Sequence, residues 1–132
     1  MKKLPKNLKE TVQYIDDLKL DDINFYLSSE TESDFVSKTH FGLGLYLRND
    51  LCLWCEVCEI RDWFYNNYFI YHPDDISSLI LAYYYNIKNE KDTNLTKRIN
   101  DIHNHWKKYD DDFYKKFKKF KLDKINENYR KQ

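Results

Sequence analysis

The sequence predicts an all-α fold, a single compact helical domain over residues 1–132 with about five to six helices and a long amphipathic helix at the C-terminus. Three observations carry this expectation. Apolar residues recur three and four apart along most of the chain, the repeat of one helix face, and nowhere with the alternation of a half-buried strand. Helix-start chemistry precedes the apolar runs, most clearly at Pro73-Asp74-Asp75, where proline loses no helical hydrogen bond and carboxylates meet the positive end of the dipole. A length of 132 residues is one domain's worth of core.

From the N-terminus, Pro5 suits the opening of a first helix in which Leu8, Val12, Ile15 and Leu18 form a stripe. A short second helix follows Asp21 or Asp22 and turns Ile23, Tyr26 and Leu27 inward. The polar residues 28 to 33 read as a mobile loop. A third helix begins near Ser33 or Asp34, carries Phe35, Val36, Leu43 and Leu47, and ends at Asn49-Asp50. Gly42 and Gly44 lie inside it. Glycine there costs about 1 kcal/mol relative to alanine, so the pair implies a bend or the close approach of another backbone. Residues 56 to 68 predict a fourth helix with Val57, Ile60, Phe64 and Tyr68 on one side. A fifth starts at Pro73 and runs through Ile76, Leu79, Ile80, Tyr83 and Ile87. After a polar connector, Leu95, Ile99, Ile102, Trp106, Tyr109, Phe113, Phe117 and Phe120 define a long basic amphipathic helix over residues 93–125, with Asp110 to Asp112 as the place where it would break or kink.

Composition narrows the classes of function. Aromatic residues make up 17% of the chain, with twelve Tyr and eight Phe, and tyrosine in surplus points to a recognition surface. Net charge is zero, yet from Lys97 onward 12 Lys and Arg face 6 Asp and Glu, or +6, leaving 10 against 16, or −6, in residues 1 to 96. So polarised a chain can steer a charged partner. No secretion signal is readable at Met1-Lys2-Lys3-Leu4, and no window is apolar over the roughly 18 residues a membrane helix needs. The expected setting is therefore cytoplasmic, without membrane contact, and the three cysteines read as reduced thiols.

One polar set has the composition for chemistry: His40, Arg48, Asn49, His72, Asp74 and Asp75, with Trp54 and Ser77 beside it. Two adjacent carboxylates with histidine and arginine can run acid–base catalysis or bind metal. The alternative is a structural clamp, in which Asp74 or Asp75 caps the fifth helix and accepts from the Arg48 fork. The clamp is the expectation adopted, with no metal and no cofactor. Cys52-x2-Cys55-x2-Cys58 has the first two intervals of an iron–sulfur run but lacks its fourth cysteine and the proline after it. A zinc site would have to draw on His40 or His72, and core thiols are the simpler reading. His103 and His105 point to different helix faces and read as solvated. Lys115, Lys116, Lys118, Lys119 and Lys121 interleave with rings, a pattern open to nucleic acid, although Phe113, Phe117 and Phe120 follow the core stripe and favour a solvated basic face. The short motifs of serine hydrolases, zinc proteases, phosphate loops and dinucleotide folds are absent.

The same residues carry a resemblance. The series His40-x3-Gly44-x3-Arg48-Asn49-x4-Trp54, then Phe64, then His72-Pro73-Asp74-Asp75-Ile76-Ser77 resembles the signature of an uncharacterised bacterial domain family, a domain of unknown function. The likeness covers roughly residues 5–90 and leaves the basic C-terminal helix outside. Leu51-Cys52 stand where the family tends to have an aromatic residue and a glycine, and Ile76 where methionine is usual. The resemblance implies no reaction.

The expected function is that of a non-catalytic protein-binding module, most concretely an immunity-like protein that neutralises a basic bacterial toxin or effector. Its contact surface is expected at Tyr68, Tyr71, Tyr83, Tyr84 and Tyr85. The alternatives are nucleic-acid binding through the basic helix, and a small hydrolase built on His40, Arg48, His72, Asp74 and Asp75.

Overall fold

The structure, a computed structural model, describes residues 3 to 130, and no strand occurs among them. Met1 and Lys2, which belong to the stretch read for a secretion signal, lie outside the described residues, as do Lys131 and Gln132. The elements are α1 (Leu8–Asp17), α2 (Ile23–Leu27), α3 (Glu32–Thr39), a π-turn (His40–Gly44), α4 (Leu45–Asp50), α5 (Glu59–Tyr68), α6 (Pro73–Lys88), α7 (Leu95–Tyr109) and α8 (Phe113–Arg130). Since α3, the π-turn and α4 follow without interruption, the described residues form seven rods where five to six were expected. The surplus comes from the C-terminal run, which divides in two.

The core is assembled around α6. Leu79, Ile80, Leu81 and Ala82 are buried in succession, so no side of this stretch faces water. The helix touches α1, α3, the π-turn, α4, α5 and α7, the place expected of a helix apolar on every side. Its start follows the sequence chemistry: His72, in an extended conformation, is the cap, and its Nδ1 accepts from the Asp74 N–H at 3.1 Å ahead of Pro73-Asp74-Asp75. Leu8 and Ile15 from α1, Phe35 from α3, Leu47 from α4 and Phe64 from α5 close the core around it. Each such side chain stabilises the fold by about 1.5–3 kcal/mol relative to an exposed one.

Several boundaries differ from the sequence reading, each for a local reason. The cap of α1 is Asn7, whose Oδ1 accepts from the Glu10 N–H at 2.9 Å, while the Glu10 carboxylate accepts from the Lys6 N–H at 3.1 Å. Pro5 thus lies ahead of the helix, buried. Residues 28 to 33 are laced down: Ser29 O accepts from the Tyr85 hydroxyl at 2.6 Å, Leu27 O from Asn89 Nδ2 at 3.1 Å, and Glu32 pairs with Arg98 at 3.0 Å. Val57, expected in the core, is 84% exposed because α5 begins only at Glu59. Ile87, in the last turn of α6, is also exposed.

The long C-terminal helix expected over residues 93–125 breaks at its acidic triplet. Asp110 turns extended (φ −128°, ψ 107°) and its carboxylate accepts from the Asp112 N–H at 3.0 Å. That starts a new helix, which folds back along the first. His103 of α7 lies 4.3 Å from the Phe117 ring of α8. The apolar periodicity passes through the break because both arms face the same aromatic ridge, while Tyr109, at the turn itself, points to solvent.

Candidate functional site

Arg48, with a side chain only 6% exposed, fastens three elements together. Its Nη2 donates to His40 O in the π-turn at 3.1 Å, and its Nη1 donates to Ser77 Oγ on α6 at 2.9 Å. Its Nε lies 3.5 Å from Asp74 Oδ1, on a carboxylate that is 52% exposed. Ser77 Oγ in turn donates to Asp74 O at 3.1 Å. The π-turn makes this reach possible by opening the helix at His40, and Gly44 makes room for it. A Cβ on Gly44 would stand 3.1 Å from Arg48 Nη1 and 3.4 Å from Leu81 Cδ1, so the close approach expected of the glycine pair is found at Gly44, from α6 and the arginine itself, whereas a Cβ on Gly42 would meet nothing within 4 Å.

The remaining residues of the set divide around this tie. His40 joins it through its carbonyl, while its ring packs edge-on against Phe41 at 4.8 Å. Asn49 is exposed and contributes its backbone O to the Cys52 N–H at 3.1 Å. The His72 ring sits between Trp54, edge-on at 5.6 Å, and Trp106 at 5.8 Å. Because His72 Nδ1 accepts from the Asp74 amide, its neutral form carries the proton on Nε2. The two neighbouring carboxylates diverge: Asp74 meets Arg48, whereas Asp75 Oδ2 accepts from Trp106 Nε1 at 2.8 Å. Burial pushes the Asp75 carboxyl above the usual carboxylate range, against the opposing pull of the Trp106 hydrogen bond. The arrangement is one of ties between elements, with Arg48 as their hub.

Beside the clamp, residues 51 to 58 form a loop that sequence reading treated as core and helix. Cys52 and Cys55 are joined as a disulfide, their Cα atoms 5.2 Å apart. The expectation of three reduced core thiols is corrected accordingly: Cys52 is exposed, and only Cys58 is a buried thiol, its Sγ donating to Leu51 O. Among the described residues no three His, Cys, Asp or Glu side chains gather as a metal site would require. Arg61 staples the loop from beneath, with Nη1 donating to Leu53 O at 2.8 Å and to Cys55 O, and Nη2 to Glu56 O at 2.9 Å. Sequence reading missed Arg61, whose only signal was that it stands alone among acidic and apolar neighbours. The loop buries Leu53 and presents Trp54, 62% exposed, and Val57. Glu56 in the loop and Glu59 and Asp62 in the first turn of α5 are also exposed.

The tyrosine surface does not hold together. Tyr84 and Tyr85 are each only 1% exposed. Tyr84 donates to Asp16 Oδ1 at 2.7 Å, and Tyr85, which donates to Ser29 O, accepts from Lys91 Nζ at 2.9 Å. Both are core residues whose hydroxyls find partners at the rim, and burial raises the Tyr84 phenol above its ordinary value. Tyr68, Tyr71 and Tyr83 are half-buried. His103, expected in solvent, is buried, and its Nε2 donates to Tyr68 O at 2.7 Å.

A family model described as a domain of unknown function, DUF6794, matches residues 4–88. The chain belongs to this family. The DUF6794 unit runs from α1 to the last residue of α6 and contains the clamp and the stapled loop, whereas α7 and α8 lie outside it. The expected family-like span of about 5–90 agrees with the match. No curated protein and no solved structure matches the chain.

Proposed function

We propose that the protein is a non-catalytic binding module, an immunity-like protein that neutralises a basic bacterial toxin or effector. The observation that carries this reading is the loop of residues 51 to 58. Arg61 and Arg48 both turn inward, so the charge left facing solvent there is the exposed Glu56, Glu59 and Asp62. Trp54 and Val57 are exposed in the same stretch of chain. Tryptophan is prominent among residues that dominate binding energy, and a rim of one charge steers an oppositely charged partner. A loop already held by its own staple loses little freedom when it docks. The hydrolase alternative is not favoured, since Arg48, His72 Nδ1 and both carboxylates are each engaged in ties.

The test is capture from native-host extract at low and high salt, with wild type beside Trp54→Ala and Glu56→Lys, and the bound protein identified by mass spectrometry. A basic protein held by wild type and lost from both variants, with toxicity suppressed when the two are co-expressed, is the expected result. A partner retained equally by all three would remove this loop from the reading, and a captured protein without toxic activity would remove immunity.

A further inference from the structure

A groove of about 570 Å³ lies between the C-terminal end of α5 and the flank of α8, outside both the clamp and the stapled loop. One wall is aromatic, with Tyr65 5.9 Å from Tyr71 and 6.0 Å from Phe120. Tyr65 is 43% exposed, so the structure leaves its ring presented to the groove. On the α8 side the lining also includes Lys116 and Lys119, both exposed and without an ion-pair partner among the described residues. Lys124, by contrast, is 3.6 Å from Glu127, and these two close the far end with Asp123. Positive charge is thus concentrated at Lys116 and Lys119, on a helix that bears seven basic residues against two acidic ones.

A presented ring beside two uncommitted ammonium groups fits a ligand that joins a flat aromatic surface to an anion, since bases stack on aromatic side chains and lysines neutralise phosphates. We propose that this groove binds a nucleotide unit, with the base stacked on Tyr65 and the phosphate between Lys116 and Lys119. An acidic peptide brings the anion without the flat ring, and a duplex keeps its bases stacked on each other. The nucleotide unit comes either from a single strand or from a free mononucleotide, and both present the same chemistry to the groove.

The experiment is fluorescence anisotropy of a labelled oligothymidylate over a salt series, with ATP and a duplex of equal length as competitors, on wild type, Tyr65→Leu, and Lys116→Gln combined with Lys119→Gln. Leucine preserves the apolar contact with Phe120, and the two lysines are exposed, so circular dichroism melting should show all three folded. Loss of the stacking ring is expected to weaken binding about tenfold at every salt concentration. Loss of the lysines is expected to lower the slope of log affinity against log salt by about 0.7 for each phosphate contact removed. Strand binding that ATP does not displace identifies a strand as the ligand, and displacement by ATP at comparable concentration identifies the free nucleotide. Absence of binding, affinity unchanged in both variants, or a duplex bound as tightly as the strand would overturn the proposal.

Discussion

The DUF6794 unit and the C-terminal hairpin are held by different means. In the unit, α6 is surrounded, and the polar tie at Arg48 is sealed between three elements. The hairpin covers one side only. Its aromatic contacts centre on Phe69, which stacks on Phe117 at 5.6 Å and lies 5.0 Å from Phe120, while Leu95, Ile99 and Ile102 pack on the core and three polar anchors hold it, Trp106 to Asp75, His103 to Tyr68 O and Arg98 to Glu32. Phe69 ends α5 in a left-handed conformation (φ 54°, ψ 48°), which is uncommon for a bulky residue and persists where packing enforces it. A surrounded element can open only with the whole domain, whereas a one-sided cover can lift alone.

The largest effect should come from the unit. Arg48→Ala removes the donors to His40 O and Ser77 Oγ together with the buried packing of its side chain and should cost about 3 kcal/mol, a fall of about 10 °C in melting temperature. Asp74→Asn should cost less than about 1 kcal/mol, because water reaches that carboxylate. Equal losses from the two would make the ion pair, and not the buried neutral acceptors, the heart of the clamp. Next is Phe69→Ala, which should lose roughly 3 kcal/mol of packing and speed amide exchange in α7 and α8 while leaving α6 protected. Matching losses of protection in α6 would break the comparison, showing one cooperative unit.

A smaller effect is expected from pH. Burial holds the His103 imidazole below its ordinary value, and the nearby Lys107 and Lys121 add to the shift. The unfolded chain, titrating near 6.5, therefore binds more protons than the folded one, and docking should weaken as pH falls through and below that point. Asp75 acts in the opposite sense, since its raised folded value favours the protonated folded form as pH falls towards the ordinary carboxylate range. Protection factors in the hairpin, exchange rates corrected for the intrinsic pH dependence of amide exchange, should accordingly fall between pH 7 and 6 in wild type and not in His103→Gln. The stapled loop should add little to global stability, since closing so short a ring contributes about 2 kcal/mol at most. Under non-reducing conditions one thiol, Cys58, should react, and only after unfolding, against three after reduction.

The sequence made legible whatever depends on spacing. Pro73-Asp74-Asp75 marks the start of α6, Arg48 is one turn from Gly44, and Asp110 to Asp112 interrupt an otherwise continuous stripe. Burial of amphipathic residues was hidden. Tyr84 and Tyr85 enter the core because Asp16 and Ser29 wait at its edge to receive their hydroxyls, partners far away in the chain. Arg61 and His103 likewise bind backbone carbonyls, which every residue possesses and no pattern reveals. Phe69 occupies a position where glycine is the usual residue, so its left-handed turn had no local signal.

The lacing between the α6–α7 connector and residues 27 to 32 bears on how force travels through the molecule. Asn86 Nδ2 spans from Glu32 to Thr93 O, Asn89 holds Leu27 O, and Arg98 holds Glu32. These bonds pin the hairpin at its root, while its aromatic contacts lie towards the opposite end. A load applied at Arg130 would peel Phe120 and Phe117 from Phe69 one ring at a time, as tape lifts from an edge, and would reach the root last.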